Sequence, residues 1–407
     1  MKAVAANYGS PIVFLFFGGF VIALALEKVN LHKRIALNII RITGSSPNRV
    51  VLGFMISTAL LSMWISNTAT TVVMLPIALS VINLLLNDDD GFTPKDQNFA
   101  LSIMLGIAFA ANVGGIATII GTPPNTVLAG FMENEYNVEI SFLKWLIIGL
   151  PFSILMIGII YFVLVKWMYP NNLPEIANSK ALIANELDKL GPINPTEKRV
   201  LIIFGLAIFF WIFRVLINQV IPFIKLSDAG ISMLAAFALF TIPFNFNKGA
   251  FTLEWKDTEK LPWGILLLFG GGLALASGLS QAGIIDMIGK SISENRTLSI
   301  LSVSAILITV MLFMTELMSN VALVTILVPL VVGIAIGMDV PILQMVIPVT
   351  LASSCAFMLP MATPPNAIVF ASGHVRVDQM ARIGIVLNII SVGLLFAIAY
   401  YIVPLLF

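Results

Sequence analysis

Charge is scarce in this chain, and so are the side chains that soluble enzymes use for chemistry. Only 11% of the 407 residues are charged, against about 25% in an average soluble domain. Apolar residues make up 59% and the mean hydropathy is +1.01, so the composition excludes an ordinary soluble fold and places the chain in a lipid bilayer. A net charge of +1 leaves no basic surface for nucleic acid. The one cysteine, Cys355, excludes a disulfide framework and a cysteine-based metal site, and its apolar neighbours suit a buried structural thiol. The two histidines, His32 and His374, fall near helix ends. With no HExxH, no paired intramembrane aspartates and no Ser–His arrangement, nothing points to an enzyme. Lys2 precedes an apolar run as in a signal peptide, but Glu27-Lys28 closes that run without a small-x-small cleavage site, so it reads as a retained helix.

Two stretches carry almost no charge at all. Residues 50–87 have none, and residues 297–338 have only Glu316. Each is interrupted by the same polar pair, Ser66-Asn67 and Ser319-Asn320, with Pro76 and Pro329 following at equal spacing. A second signature follows each pair, Thr122-Pro123-Pro124-Asn125 and Thr363-Pro364-Pro365-Asn366, and upstream Phe17-Gly18-Gly19 matches Phe269-Gly270-Gly271. The offset between copies is 252 at the glycines, 253 at Ser-Asn and 241 at Thr-Pro-Pro-Asn. The shortfall of 12 falls where the first half carries an extra hydrophilic stretch, residues 87–98, so one insertion accounts for it. A polar motif and a helix-breaking motif, each present twice, are what a transporter built from two structural repeats would carry.

Spans of about 20 residues are expected at 11–26, 99–132 (broken), 142–168, 200–218, 226–244, 261–280, 341–372 (broken) and 383–406. The uncharged stretches are too long for one span each. The first arm, residues 50–65, would be about 24 Å long at ~1.5 Å per residue, against a hydrocarbon core of about 30 Å. That suits a re-entrant hairpin whose tip stops inside the membrane, the alternative being two short spans with an external turn, which would normally carry more charge. If the first helix runs outside to inside, sixteen of the 22 Lys and Arg residues collect on one side. The other side receives six: Lys2, Lys144, Arg214, Lys225, Lys290 and Arg296. The bias makes the rich side cytoplasmic and gives the two hairpins opposite orientations. Residues 169–197, rich in Pro and Asn, then form a cytoplasmic linker with a short amphipathic helix near 178–190. Leu31, Ile35 and Ile39, opposite Lys33, Arg34 and Arg41, mark an amphipathic helix in the membrane interface before the first hairpin, and Ile284, Ile288 and Ile292 mark another before the second.

A Ser-Asn pair at a hairpin tip caps the following helix, whose first N–H groups would otherwise be unsatisfied in lipid. It also presents those N–H groups, with the positive end of the helix dipole, to an anion. Two inverted copies able to meet at the midplane favour a substrate site over a simple cap. In Thr-Pro-Pro-Asn the prolines break the helix, so carbonyls near Gly121, Thr122, Ala362 and Thr363 lose their partners. A cation ringed by carbonyl and hydroxyl oxygens would satisfy them, as would water or a neighbouring helix. No Lys, Arg or His lies in either motif pair, so an anion there must be held by helix termini, amides, hydroxyls and co-bound cations. Glu316, three residues before Ser319, has Met63 as its counterpart; a structural hydrogen bond behind the hairpin, or a modulating charge, fits it better than coordination of a ligand. The Gly-Gly pairs suit close helix packing.

These motifs resemble the divalent anion:sodium symporter family, whose members carry C4-dicarboxylates, citrate or sulfate, and the resemblance covers nearly the whole chain. It implies an all-α polytopic membrane protein of the plasma (cell inner) membrane, with an inverted-repeat ion-transporter fold, two re-entrant helical hairpins and two broken helices. It implies a homodimer working by an elevator mechanism, in which a transport unit slides against a scaffold. The scaffold would be residues 1–49 and 198–296, the transport unit 50–168 and 297–407, and 169–197 the linker. By resemblance, one sodium site takes Ser62, Ser66, Asn67 and Gly121, and the other Thr315, Ser319, Asn320 and Ala362. Substrate carboxylates would meet Ser66, Asn67, Thr68, Ser319, Asn320, Thr363 and Pro364, with Val321 beside them. Val321 stands where the family motif has Thr, which removes a hydroxyl. The second half has two spans ahead of its Gly-Gly helix where the first has about ten residues. With the family's further leading helix, the expectation is a chain truncated by three N-terminal spans. The function implied is sodium-coupled import of dicarboxylates or citrate, with Na+ as the co-transported ion and no organic cofactor; alternatives are a sulfate carrier or anion exchanger of the same fold, or a truncated, transport-dead membrane protein.

Overall fold

A computed structural model describes residues 2–86, 93–174, 179–221, 223, 225–245, 250–294 and 299–406. Residues 87–92 of the expected insertion, Asn178, Arg296 and the side chains of Lys2 and Ile292 lie outside the described residues. The first repeat begins with α1 (Lys2–Tyr8), α2 (Pro11–Lys28) and the short α3 (Leu31–Thr43). A hairpin of α4 (Pro47–Ser62) and α5 (Asn67–Leu86) follows, then a broken helix of α6 (Pro94–Ile116) and α7 (Pro123–Tyr136), then α8 (Phe142–Tyr161). The linker helix α9 (Ser179–Lys189) leads to α10 (Pro195–Val220) and α11 (Asp228–Thr241). The second repeat runs through α12 (Trp263–Gln281), α13 (Ile284–Glu294), the hairpin of α14 (Ile300–Met314) and α15 (Asn320–Gly337), and the broken helix of α16 (Ile342–Ala352) and α17 (Pro364–Ala371). It closes with α18 (Val377–Ala397) and α19 (Val403–Leu406). Among the described residues eight helical segments are long and apolar enough to cross a membrane; they include the second hairpin arms α5 and α15, whereas α11, in the expected 226–244 span, is too short to count. A two-stranded ribbon, Pro243–Asn245 with Ala250–Phe251, is the only sheet among the described residues.

Local chemistry explains where these helices start. Pro11, Pro47, Pro94, Pro123 and Pro364 each occupy the first turn of a helix, where a missing N–H costs nothing. Thr93 and Asp96 form a reciprocal capping box at α6. The last helix begins at Val377 rather than at the expected 383, because Gln379 Oε1 accepts from Arg376 N at 3.0 Å and lets polar residues into the first turn. Both repeats end their last long helix in a π-helical segment, Phe162–Met168 and Ile398–Ile402.

The core is built around α6, whose residues from Phe99 to Ile116 are all buried. A helix enclosed on every side must be apolar all round and small where neighbours cross. Gly114 shows this: a Cβ there would lie 2.5 Å from the Ala59 carbonyl oxygen and 2.6 Å from Ala59 Cα on α4. Gly114→Val is therefore expected to push α4 off α6 and cost about 1–3 kcal/mol or more, read as a fall in melting temperature of the purified protein. A melting temperature equal to wild type would mean that the crossing is looser than described. The Gly-Gly pairs also serve packing, Gly18 against Ser232 of α11 and Gly270 against the Tyr8 ring of α1.

The second arms of the hairpins exchange partners between repeats. Helix α5 packs on α17 and α15 packs on α7, so each hairpin is held by the other repeat's broken helix. The amphipathic α3 lies against α4 and α9, and α13 against α15. One detail differs from the amphipathic pattern. Arg34, on the polar face of α3, is buried: it binds Glu197 at 2.8 Å and donates to the carbonyls of Gly191 and Leu190. Lys33 pairs with Glu186 at 2.9 Å. The linker covers the polar face of α3, a contact that helical periodicity cannot reveal.

Candidate functional site

Both hairpin tips and both helix breaks line one cavity of about 520 Å3. All of the expected substrate residues reach it: Ser66, Asn67 and Thr68 from the first tip, Ser319, Asn320 and Val321 from the second, and Thr363 and Pro364 from the second break. Phe16, Gly19 and Phe20 of α2 and Ile265 and Leu268 of α12 close it laterally, and none of its lining residues is charged. Helices α5, α7, α15 and α17 all begin at this cavity, so four positive dipole ends converge on it, with free N–H groups only at α5 and α15 because two prolines open α7 and α17.

The expected cation residues sit at two levels. Gly121 and Ala362 line the cavity, whereas Ser62 and Thr315 are fully buried behind it. The single Ser62 Oγ proton is shared between Asn67 Oδ1 at 2.6 Å and the Ala111 carbonyl at 2.7 Å. Thr315 Oγ1 repeats this with Asn320 Oδ1 at 2.7 Å and the Ser353 carbonyl at 2.6 Å. Each half thus gathers a hydroxyl, an amide oxygen and a main-chain carbonyl, the oxygen donors that a small hard cation prefers.

Two expectations need correction. The Ser-Asn pair caps its helix only in the first copy, where Ser66 Oγ accepts from Ala69 N at 3.2 Å. Ser319 makes no such bond, and the asparagines turn their oxygens to the hydroxyls of Ser62 and Thr315 instead. Among the break carbonyls, those of Thr122 and Thr363 are not orphaned, since they accept from Asn125 N and Ala367 N. Those of Gly121 and Ala362 accept no such bond among the described residues.

Several contacts that hold the site are invisible to motif reading. Asn125, last in its motif, donates to the Thr118 and Gly115 carbonyls at 2.8 and 3.3 Å, and Asn366 donates to those of Leu359 and Ala356, both at 3.1 Å. These amides clamp the unwound loops. Helix α8 satisfies further α6 carbonyls through Trp145 Nε1 to Ile116 at 2.9 Å and Ser153 Oγ to Val113 at 2.7 Å. Glu316 is buried behind the second hairpin, and its two oxygens accept from the N–H groups of Phe357, Met358 and Leu359 and from Asn388. That is the structural hydrogen bonding its position implied. In the first half Thr118 Oγ1 makes the equivalent tie to the Met63 carbonyl at 2.5 Å. The aromatic ring of Trp64, at the first tip, stacks near Phe142 and Trp211 with centroids 6.0 and 6.4 Å away.

The model of the sodium:sulfate symporter transmembrane region matches residues 1–407. The chain belongs to the sodium:sulfate symporter family. It is 38% identical over 407 residues to the sodium-dependent dicarboxylate transporter SdcS of Staphylococcus saprophyticus, covering 99% of this chain and 78% of that protein. SdcS of Staphylococcus aureus strain USA300 is also 38% identical, over 412 residues, with the same coverage. Among solved structures, the YdaH transporter of Alcanivorax borkumensis superposes with a TM-score of 0.65 at 13% identity, over 99% of this chain and 88% of that one. MtrF of Neisseria gonorrhoeae, described as illuminating a class of antimetabolite efflux pumps, gives 0.61 at 12% identity, over 98% and 83%. At that identity the two structures speak for the fold alone. Family and apolar spans together make this a multi-pass membrane transport protein.

Proposed function

We propose that this family member is a secondary active transporter that imports C4-dicarboxylates or citrate together with sodium. The observation that carries the reading is the uncharged cavity in which four helix N-termini converge between two inverted Ser-Asn tips. Its volume suits a small organic anion. Helix dipoles and amides contribute only partial charges, so a doubly charged anion in a cavity without Lys, Arg or His needs cations beside it. The two buried groups around Ser62–Asn67 and Thr315–Asn320 are where sodium would bind, with Gly121 and Ala362 adding carbonyls. The SdcS relatives, sodium-dependent dicarboxylate transporters by name, support both the ion and the substrate class. Alternating access would follow the elevator pattern. The two hairpins and broken helices, which pack across repeats, would move as one unit against α2, α10, α11 and α12, in a homodimer.

Sodium linkage tests this reading. Substrate affinity is expected to rise about tenfold or more between choline and saturating sodium, and sodium affinity to rise by the same factor with substrate. The check is a thermal-shift series of purified protein with succinate, citrate and sulfate, in sodium and in choline, followed by uptake into proteoliposomes. Ser62→Ala and Thr315→Val should weaken the linkage more than they weaken binding at saturating sodium. Equal affinity in sodium and choline would replace symport with exchange, and a response to sulfate alone would change the substrate class.

A further inference from the structure

Asn112, on α6, belongs to the first repeat by sequence but to the second by its hydrogen bonds. Its Nδ2 lies 3.0 Å from Thr363 Oγ1, 3.2 Å from Asn366 Oδ1 and 3.3 Å from the Ala356 carbonyl. The orientation of this amide follows from chemistry. The Ala356 carbonyl can only accept, and Asn366 Oδ1 must be an oxygen because the Asn366 nitrogen already donates to Ala356 and Leu359. The nitrogen of Asn112 therefore faces the second repeat, and its Oδ1, buried and without a partner, is left over. Asn112 also lines the cavity, so the oxygen is left toward the cavity side while the nitrogen is committed to the second repeat. The nitrogen contacts are what the amide provides.

The preceding residue belongs to the other half of the site. The Ala111 carbonyl accepts from Ser62 Oγ, which also holds Asn67 Oδ1. One peptide unit of α6 thus joins the oxygen cluster at the first tip to Thr363, which directly follows Ala362 at the second break. Among the described residues there is no reciprocal link. In the second repeat Thr315 bonds the Ser353 carbonyl, but the next residue, Ser354, leaves its Oγ buried and unpartnered. Asn125 Oδ1, the counterpart of the acceptor that Asn112 uses, is unpartnered too.

We infer that Asn112 is the positioning residue that couples the two cation sites, so that sodium at the Ser62–Asn67 site orders the loop of the Thr315–Asn320–Ala362 site. This rests on the sodium reading above. Sodium bound at the first site would draw the Ser62–Asn67–Ala111 oxygens to one geometry and fix this turn of α6. Asn112 would pass that geometry to Thr363 and to the Asn366 clamp. Because a single side chain makes the link, removing it should separate the sites without removing either set of ligands.

The test is sodium titration of purified protein in lipid nanodiscs without substrate, with choline holding ionic strength constant and tryptophan fluorescence and melting temperature as readouts. Wild type is expected to bind sodium with a Hill coefficient approaching about 2, and Asn112→Ser with one of about 1. A cycle adds a readout that mere loosening of the fold would leave unchanged. The effects of Ser62→Ala and Thr315→Val on sodium affinity should be non-additive, by about fivefold or more, with Asn112 present and additive with Asn112→Ser. Should Asn112→Ser fail to fold, Asn112→Ala removes the same nitrogen contacts to Thr363, Asn366 and Ala356 and should abolish the coupling in the same way. A wild-type coefficient of 1, or cooperativity unchanged in the folded variants, overturns the inference while leaving two sodium sites intact. No sodium response in wild type overturns the sodium reading and the inference with it.

Discussion

Asn320→Ala is expected to lower substrate uptake at least a hundredfold, and Asn67→Ala to do the same, with membrane insertion unchanged. Each asparagine stands at the first position of a helix that opens on the cavity. Each also holds the hydroxyl behind it, Asn67 Oδ1 that of Ser62 at 2.6 Å and Asn320 Oδ1 that of Thr315 at 2.7 Å. Truncation would remove an oxygen from the cation cluster and an amide from the cavity wall. Hydrogen bonds to charged partners contribute about 1.5–3 kcal/mol each, and losing two of them is about a hundredfold or more in affinity. Insertion should survive because the arms of each hairpin are apolar and the tip amide adds only local contacts, to the hydroxyl behind it and, for Asn67, against Gly115. The measurement is uptake into proteoliposomes at equal protein incorporation, beside the elution profile of the detergent-solubilised variant. Uptake at the wild-type rate in either variant would move the binding site away from the hairpin tips.

Much of this arrangement is legible in the sequence because its causes are local. A proline pair inside an apolar run breaks a helix wherever it occurs, so the breaks at Pro123 and Pro364 fall where they are expected. An uncharged stretch too long for one span and interrupted by Ser-Asn can only fold back, and α4–α5 and α14–α15 do. Duplication then implies that the two halves meet, and the cavity contains both copies of each motif. What periodicity cannot show depends on contacts across the chain. The burial of Arg34 follows from Glu197, 163 residues away. The clamping roles of Asn125 and Asn366 require knowing which carbonyls the loops turn toward them. Asn112 lies in an unbroken apolar helix and carries no motif; its one signal is an amide amid Ala, Phe, Val and Gly. Ser319 shows the reverse case, a motif residue whose expected cap is missing because hydrogen-bond geometry, unlike identity, is not duplicated.

Glu316→Ala is expected to have the largest effect on the fold of the site. The side chain is 3% exposed and accepts from Phe357 N at 2.8 Å, Met358 N at 3.0 Å, Leu359 N at 3.2 Å and Asn388 Nδ2 at 2.8 Å. Three consecutive N–H groups of the unwound loop have no helical acceptor, and this carboxyl group stands in for the missing turn. Removing it would orphan two buried donors, Phe357 N and Asn388 Nδ2, at about 1–3 kcal/mol each, and two half-buried ones, Met358 N and Leu359 N, at less. Among the described residues, the loop from Ser353 to Thr363 would then be tied to the second hairpin only through the Thr315–Ser353 bond, and Ala362 would be held less firmly beside Thr315 and Asn320. The first half would be spared, since its tie runs the other way, from the Thr118 hydroxyl to the Met63 carbonyl. Glu316→Gln keeps one oxygen and turns an NH2 group toward the same donors, so it should fall between Glu316→Ala and wild type. Asn388→Leu removes one donor and should be the mildest of the three. The check is the order of melting temperatures, together with sodium titration of whichever variants remain folded. Glu316→Ala should lower the sodium affinity of the second site well before it affects the first. Wild-type melting temperature and uptake in Glu316→Ala would show that the loop keeps its shape without the carboxyl group, and that the Asn366 clamp is sufficient to hold it.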